Sequence, residues 1–356
     1  MIRTILYSFL FMVSVCIKAQ QFTYTYDTIR LDLGRLGLAS SYSTLLFGTV
    51  FRDMYCFVAL GNDACQYLLM TDMQGRMLHK IKVPIDTENK RYIRALLTRN
   101  DSLILKRNRE YTVDCYERWN YEYEVLNGLE HEIVPNDMHD YYLDTGSWEI
   151  RPCNTAFSAI YEDRRFVALS MAAGEFGSWL LFQEKKHKRL HLFREATLRL
   201  FRIGKSYYGI NWYGIFKIDK PESAPVVDGS VHHTDYEHKA EYSRGKYIYK
   251  TKSGDTSEIM STEFIEDGFV HGRRLYVVVR TADDLFIARY ADERLIPMMS
   301  LGQHFAQWRV FTQFSMSDSN RALIKLYNRE QQCRALVFIN ELKVNVIYIM
   351  LQNSYK

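Results

Sequence analysis

A turn of Asp, Asn or Gly followed at once by a run of β-branched and aromatic residues recurs six times along this chain. Asp53-Met54 leads into Tyr55-Cys56-Phe57-Val58-Ala59-Leu60, Asp101 into Ser102-Leu103-Ile104-Leu105, and Asp163-Arg164 into Arg165-Phe166-Val167-Ala168-Leu169. Gly204-Lys205, Gly272-Arg273 and Asp318-Ser319-Asn320 introduce the other three runs. Asp, Asn and Gly supply the turn geometry, and the residues that follow favour a pleated, half-buried surface. Recurrence of this kind constrains the fold more than any single residue does. A unit of this length cannot bury its apolar face alone, so copies stack into a solenoid, an array or a propeller.

Each run has one strand-like segment before it and two after it. In the first unit they cover 46–51, 55–60, 67–70 and 77–83, and the last two are joined by Thr71-Asp72-Met73-Gln74-Gly75-Arg76, a hairpin with Gly placed for a positive φ. The central turns step by about 48, 62, 41, 68 and 46 residues, against roughly 40–50 for a four-stranded propeller blade. The two long steps contain insertions, near 127–152 and 221–261, and the second includes a strand-like Lys246-Tyr247-Ile248-Tyr249-Lys250 that is a candidate extra blade. The expected fold is all-β, a β-propeller of six four-stranded blades, with five or seven left open. The leading segment 22–33 is placed to pair with the last blade and remove an exposed edge. An irregular pair of sandwiches, or two separate all-β domains, is the competing reading. Against it, no Pro/Gly/Ser-rich linker divides the chain and Pro numbers only 6. The best helical candidate, 194–200, reads equally well as a strand.

The first residues describe a compartment. Met1-Ile2-Arg3-Thr4 is followed by an apolar stretch over 5–17 and then Lys18-Ala19-Gln20-Gln21. A basic start, a short apolar run and a small residue at the end form a secretory signal peptide, expected to be cleaved after Ala19. The run is shorter than the about 20 residues a bilayer span requires. Acylation at Cys16 is the alternative, disfavoured by Val15 where a small residue belongs. The expected division is therefore a signal peptide over 1–19 and a single propeller over 20–356, exported to the periplasm or the extracellular space with no transmembrane anchor. Five cysteines follow the signal: Cys56, Cys65, Cys115, Cys153 and Cys333. The odd number leaves a free thiol, a Cys56–Cys65 bridge is open, and no CxxC spacing suggests zinc or redox chemistry. Net charge is +4, of which Arg3 and Lys18 contribute +2, so no general nucleic-acid face is expected.

Each candidate for chemistry has an architectural reading beside it. Asp53, Asp101, Asp163 and Asp318 form a carboxylate series, but their repetition at turns fits Asx turns ahead of strands. His232-His233-Thr234-Asp235-Tyr236-Glu237-His238 is the densest metal-like cluster, and Glu130-His131-Glu132 with Asp137, His139 and Asp140 is similar. Neither matches an established ligand spacing, and both fit exposed loops. No metal or cofactor is expected. Lys185-Lys186-His187-Lys188-Arg189 has the residues to grip an anionic polysaccharide and also falls where a solvated hairpin tip belongs.

Propeller geometry narrows the search. Turns joining the second and third strands of a blade share one rim with the loops joining blades, and binding residues concentrate in such loops. Trp148, Trp212, Tyr213, His304 and Trp308 are expected there as binding residues, with Glu175, Asp283 and Asp284 as catalytic candidates. A funnel of aromatics and carboxylates suits a small glycan, while rings packed between blades are the architectural alternative. From its strand and turn rhythm, as in Tyr67-Leu68-Leu69-Met70-Thr71-Asp72-Met73-Gln74-Gly75-Arg76, the chain resembles secreted bacterial six-bladed propellers of the TolB/NHL-like kind. The Trp-Asp pair of WD repeats, the paired glycines of kelch repeats and the Asp-box of sialidases are absent where expected. The resemblance implies either a binding or scaffold protein with a glycan or protein partner on the long-loop rim, or a propeller glycoside hydrolase or polysaccharide lyase. Hydrolysis would need two carboxylates about 5–10 Å apart, for which Glu175 with Asp283 or Asp284 is the pair. A structural subunit of an envelope complex is the third reading.

Overall fold

The computed structural model describes residues 22–32, 36, 38, 45–63, 65–83, 93–99, 102–112, 118–126, 133–136, 141–144, 149–152, 158–172, 178–187, 189–227, 243–251, 263–310, 320–328 and 333–352. A leading strand, β1 (Thr23–Asp32), precedes a succession of antiparallel meanders. The first sheet is β2 (Leu45–Phe51), β3 (Met54–Leu60), β4 (Gln66–Thr71) and β5 (Met77–Val83). The second is β6 (Ile93–Arg99), β7 (Ser102–Thr112), β8 (Arg118–Leu126) and β9 (Ile133–Asn136), followed by a separate hairpin of β10 (Tyr141–Asp144) and β11 (Glu149–Pro152). The third is β12 (Ser158–Glu162), β13 (Phe166–Ala172), β14 (Ser178–Glu184) and β15 (Leu190–Phe193). The fourth is β16 (Arg199–Ile203), β17 (Ser206–Asn211), β18 (Gly214–Ile218) and, after β19 (Val226–Val227), β20 (Lys246–Lys250). The fifth is β21 (Glu263–His271), β22 (Arg274–Thr281), β23 (Leu285–Ala291) and β24 (Arg294–Ser300). The sixth is β25 (Arg309–Val310), β26 (Arg321–Asn328), β27 (Cys333–Asn340) and β28 (Lys343–Gln352). Two sheets gain a fifth strand: β1 runs parallel to β28, and β19 pairs antiparallel with β15. Among the described residues this makes four sheets of four strands, two of five and one of two.

Among the described residues, neighbouring sheets pack through their apolar faces at five junctions. Phe51, Cys56 and Val58 of the first meet Leu96 and Leu103 of the second. Phe166, Phe182 and Phe193 of the third meet Leu200, Tyr207 and Phe216 of the fourth. Further clusters join the fourth to the fifth and the fifth to the sixth. Leu336, Phe338 and Ile347 of the sixth pack on Val50, Tyr55 and Phe57 of the first. The two ends of the chain therefore meet through buried side chains, and the architecture is an all-β propeller.

The turns follow from their residues. The expected hairpin over Thr71–Arg76 is present, with Gly75 at φ 83°, and Asp72 Oδ1 accepts the N–H groups of Gln74 and Arg76 at 3.0 and 2.8 Å. Asp163 does the same for Arg165 and Phe166, whereas Arg52 and Asp53 form a two-residue turn with both φ values positive, 46° and 59°. Asp101 and Asp318 lie outside the described residues. Lys185, Lys186, His187 and Arg189 lie between β14 and β15, with Lys185 paired to Glu162 and Arg189 to Glu184.

Several expectations are corrected. Lys246–Lys250 is not an extra blade but the fourth strand of the fourth sheet, paired with β18. The part of the second long insertion before Lys246 thus lies within a sheet, between its third and fourth strands, and the part after Lys250 joins the fourth sheet to the fifth. The insertion's first part returns to the third sheet and supplies β19. Part of the first insertion is likewise a fourth strand, β9. Residues 194–198 carry no helix, and β16 begins at Arg199. Cys56 and Cys65 are both free, so no bridge joins them. The signal segment over 1–19 with Cys16, together with Cys115, Cys153 and both His/acid clusters, lies outside the described residues.

Candidate functional site

The chain order puts the turns after the second strand of each sheet, and the crossings between sheets, at one end of the ring. Four of the sequence-predicted positions fall on two such turns and two on one crossing: Trp212 and Tyr213 between β17 and β18, Asp283 and Asp284 between β22 and β23, and His304 and Trp308 between β24 and β25. Trp148 and Glu175 lie outside the described residues.

These positions have different roles. Trp308 is 5% exposed, with its ring edge-on to Phe305 at 5.1 Å. It packs between the fifth and sixth sheets and is not a binding platform. His304 is exposed, and its Nε2 lies 2.8 Å from the Tyr348 hydroxyl. Asp283 and Asp284 form a turn capped by Thr281, whose Oγ1 accepts both their N–H groups at 3.3 and 3.1 Å. Asp284 Oδ1 accepts the Ser300 hydroxyl at 2.9 Å. Trp212 is partly buried against the core between the fourth and fifth sheets.

Tyr213 is exposed, at 52%. Its backbone is nevertheless fixed on both sides. The N–H donates to Asn211 Oδ1 at 3.0 Å, and the C=O accepts the N–H and hydroxyl of Thr251 at 2.8 and 3.2 Å. The neighbouring Trp212 C=O accepts the Ile265 N–H of the fifth sheet at 3.1 Å. An apolar ring with a polar tip is thus held into solvent by a turn anchored to two sheets.

Two buried carboxylates flank this turn, and sequence reasoning missed both. Glu195, in the crossing that precedes β16, accepts the Tyr247 hydroxyl at 2.9 Å. Glu263, the first residue of β21, accepts the Tyr249 hydroxyl at 2.9 Å. Burial pushes the Glu195 carboxyl above the usual carboxylate range, offset in part by Tyr247, Arg244, the Gly245 N–H and Lys250. Burial also raises both tyrosine hydroxyls, each next to its carboxylate. Tyr247 and Tyr249 are two apart in a strand, so alternation puts them on one face. A bulge at Ile248 shifts the register, pairing Ile215 with Tyr249 and Phe216 with Tyr247. Tyr247 therefore packs on the third-sheet side and Tyr249 on the fifth-sheet side. No residue signature for that bulge stands in the sequence. Among the described residues no group of three or more His, Cys, Asp or Glu is placed to hold a metal ion, and no helix is long and apolar enough to cross a membrane.

No family model and no curated protein matches the chain. Among solved structures it is similar to a Synechocystis apocarotenoid oxygenase, at 11% identity and TM-score 0.30 over 70% of this chain and 58% of that one. It is also similar to a 6-phosphogluconolactonase-like protein from Bacteroides fragilis, at 10% identity and TM-score 0.33 over 85% and 86% of the two chains. A third is the GH43_1 enzyme from Xanthomonas citri complexed with xylotriose, at 10% identity and TM-score 0.31 over 87% and 86%. At these scores the likenesses carry no argument, and the fold rests on the sheets themselves.

Proposed function

We propose that the chain is an exported binding or scaffold propeller whose partner, a glycan or a protein, docks on the rim at Tyr213. Six sheets of four or five strands among the described residues support reading the ring as six-bladed. The observation that carries the reading is a half-exposed tyrosine on a turn whose backbone is already hydrogen-bonded. Such a ring offers a large amphipathic contact at little further cost in conformational entropy.

The test is a panel of neutral and acidic oligosaccharides, titrated against the wild type and Tyr213→Ala. The reading expects a bound member whose affinity falls at least about tenfold in the variant, with thermal stability unchanged because an exposed side chain contributes little to the fold. A bound oligosaccharide indifferent to Tyr213→Ala contradicts it, and cleavage of one replaces it with the hydrolase or lyase reading. Protein recovered after secretion, weighed by mass spectrometry, should begin at Gln20; retention of residues 1–19 contradicts export by a cleaved signal.

A further inference from the structure

Three hydrogen bonds run in series behind Tyr213. Its N–H donates to Asn211 Oδ1 at 3.0 Å, Asn211 Nδ2 donates to the Tyr247 hydroxyl oxygen at 2.8 Å, and the Tyr247 hydroxyl donates to Glu195 Oε2 at 2.9 Å. Donor chemistry fixes the direction. A backbone N–H can only donate, so the Asn211 oxygen is taken and its NH2 must face Tyr247. The tyrosine oxygen then accepts, and its single proton goes to Glu195. The series has one end at the exposed rim and the other at a carboxylate 5% exposed, with Asn211 between them at 2%.

We infer that Glu195 is the positioning residue of the Tyr213 contact, the terminal acceptor of a one-way relay that stiffens the rim turn, so that acidification loosens the turn while the propeller stays folded. This deepens the rim reading above and rests on it. The groups facing Glu195 are the Tyr247 hydroxyl, the Arg244 and Lys250 cations and the Gly245 N–H. Ionised, Glu195 takes a charge-assisted bond from Tyr247. Protonated, it offers only a neutral acceptor, to which the Tyr247 hydroxyl bonds more weakly. Burial holds the carboxyl above its usual range, which sets the sign for the whole fold. A raised carboxyl adds stability below its unfolded-state value and loses that contribution as pH rises through the folded-state value. Acid therefore favours the fold at Glu195 while weakening the relay, and the two effects separate in experiment.

The test is amide hydrogen exchange at Tyr213 in the whole chain without ligand, expressed as protection relative to intrinsic exchange at each pH. The Leu198 N–H, bonded to the Ile210 C=O at 2.8 Å, serves as internal reference. Tyr213 protection is expected to fall by about fivefold as Glu195 takes up its proton, the difference between a charge-assisted and a neutral hydrogen bond, with Leu198 unchanged. Glu195→Gln should show the low value at every pH and no step. Tyr247→Phe, which breaks the relay at its middle and leaves the Glu195 side chain in place, should also lower it. A step that persists in Glu195→Gln, or protection unmoved in Tyr247→Phe, overturns the inference. Because no ligand is present, these outcomes are independent of whether the rim binds anything.

Discussion

Asp163 shows what one residue contributes beyond its turn. Its Oδ1 closes the Asx turn onto Arg165 and Phe166 at 2.7 and 2.9 Å. Its Oδ2 accepts the Tyr207 hydroxyl at 2.7 Å and Arg202 at 3.0 Å, both from the fourth sheet. Desolvation pushes this carboxyl up, but the Phe166 N–H, Tyr207, the Arg165 N–H and Arg202 together hold it below the usual carboxylate range. A lowered carboxyl contributes stability above its unfolded-state value and loses it as pH falls through the folded-state value. Asp163→Ala should therefore cost about 2–3 kcal/mol in urea denaturation at neutral pH, and the deficit should shrink as pH drops below about 4. A deficit independent of pH contradicts this account. The turn role was legible because its partners are two and three residues away. The inter-sheet role was not, because Arg202 and Tyr207 are about 40 residues away and meet Asp163 only once two sheets have packed. Tyr213 was legible as a rim aromatic from chain order, whereas its exposure, against the burial of Trp308, depends on packing that sequence does not reveal.

Strands and turns in this chain were largely readable from alternation and turn residues; the irregularities that shape the sheets were not. The first strands of four sheets carry a one-residue shift in register, at Leu46, Arg94, Ile160 and Glu266. Outer strands follow a second rule. β5, β20 and β24 have bulges at Leu78, Ile248 and Met298, and β9 is four residues long with Pro135 in it. β15 and β28 pair without a shift, and these are the two covered by an added strand, β19 and β1. Bulges, proline and short length all blunt an open edge against pairing with another chain, and a covering strand does the same for an edge that lacks them. The leading segment was expected beside the last blade because an open edge needs covering, and there it lies. At the centre of the fourth sheet, Gly209 faces Phe216 across the ladder, and a Cβ at Gly209 or at Gly245 would approach the Phe216 ring to 2.1 or 2.3 Å. Gly209→Ala should cost about 1–3 kcal/mol by overpacking, read as a lower midpoint in chemical denaturation. An unchanged midpoint would mean that the ring yields.

Across the molecule, closure depends on the sixth sheet in two ways. Its β27 and β28 pack on the first sheet. Its β26 is tied to the inner strands of two other sheets: Arg199 donates to Asp267 Oδ1 and to the Arg321 C=O, both at 3.1 Å, while Asp267 Oδ2 accepts the Leu323 N–H at 2.9 Å. Side chains of the fourth and fifth sheets thus occupy backbone groups of β26. This scaffold holds the second-to-third-strand turns at one end of the ring and the first-to-second-strand turns, at 52–53, 163–165, 204–205 and 272–273, at the other. Which end receives the partner is the central claim. It is tested most directly by amide exchange of the wild type with and without a bound oligosaccharide from the panel. Protection gained at 211–214 and 281–285, with the opposite turns unchanged, is the predicted footprint. Protection at the 163–165, 204–205 and 272–273 turns instead would place the binding face at the other end of the ring and contradict the account.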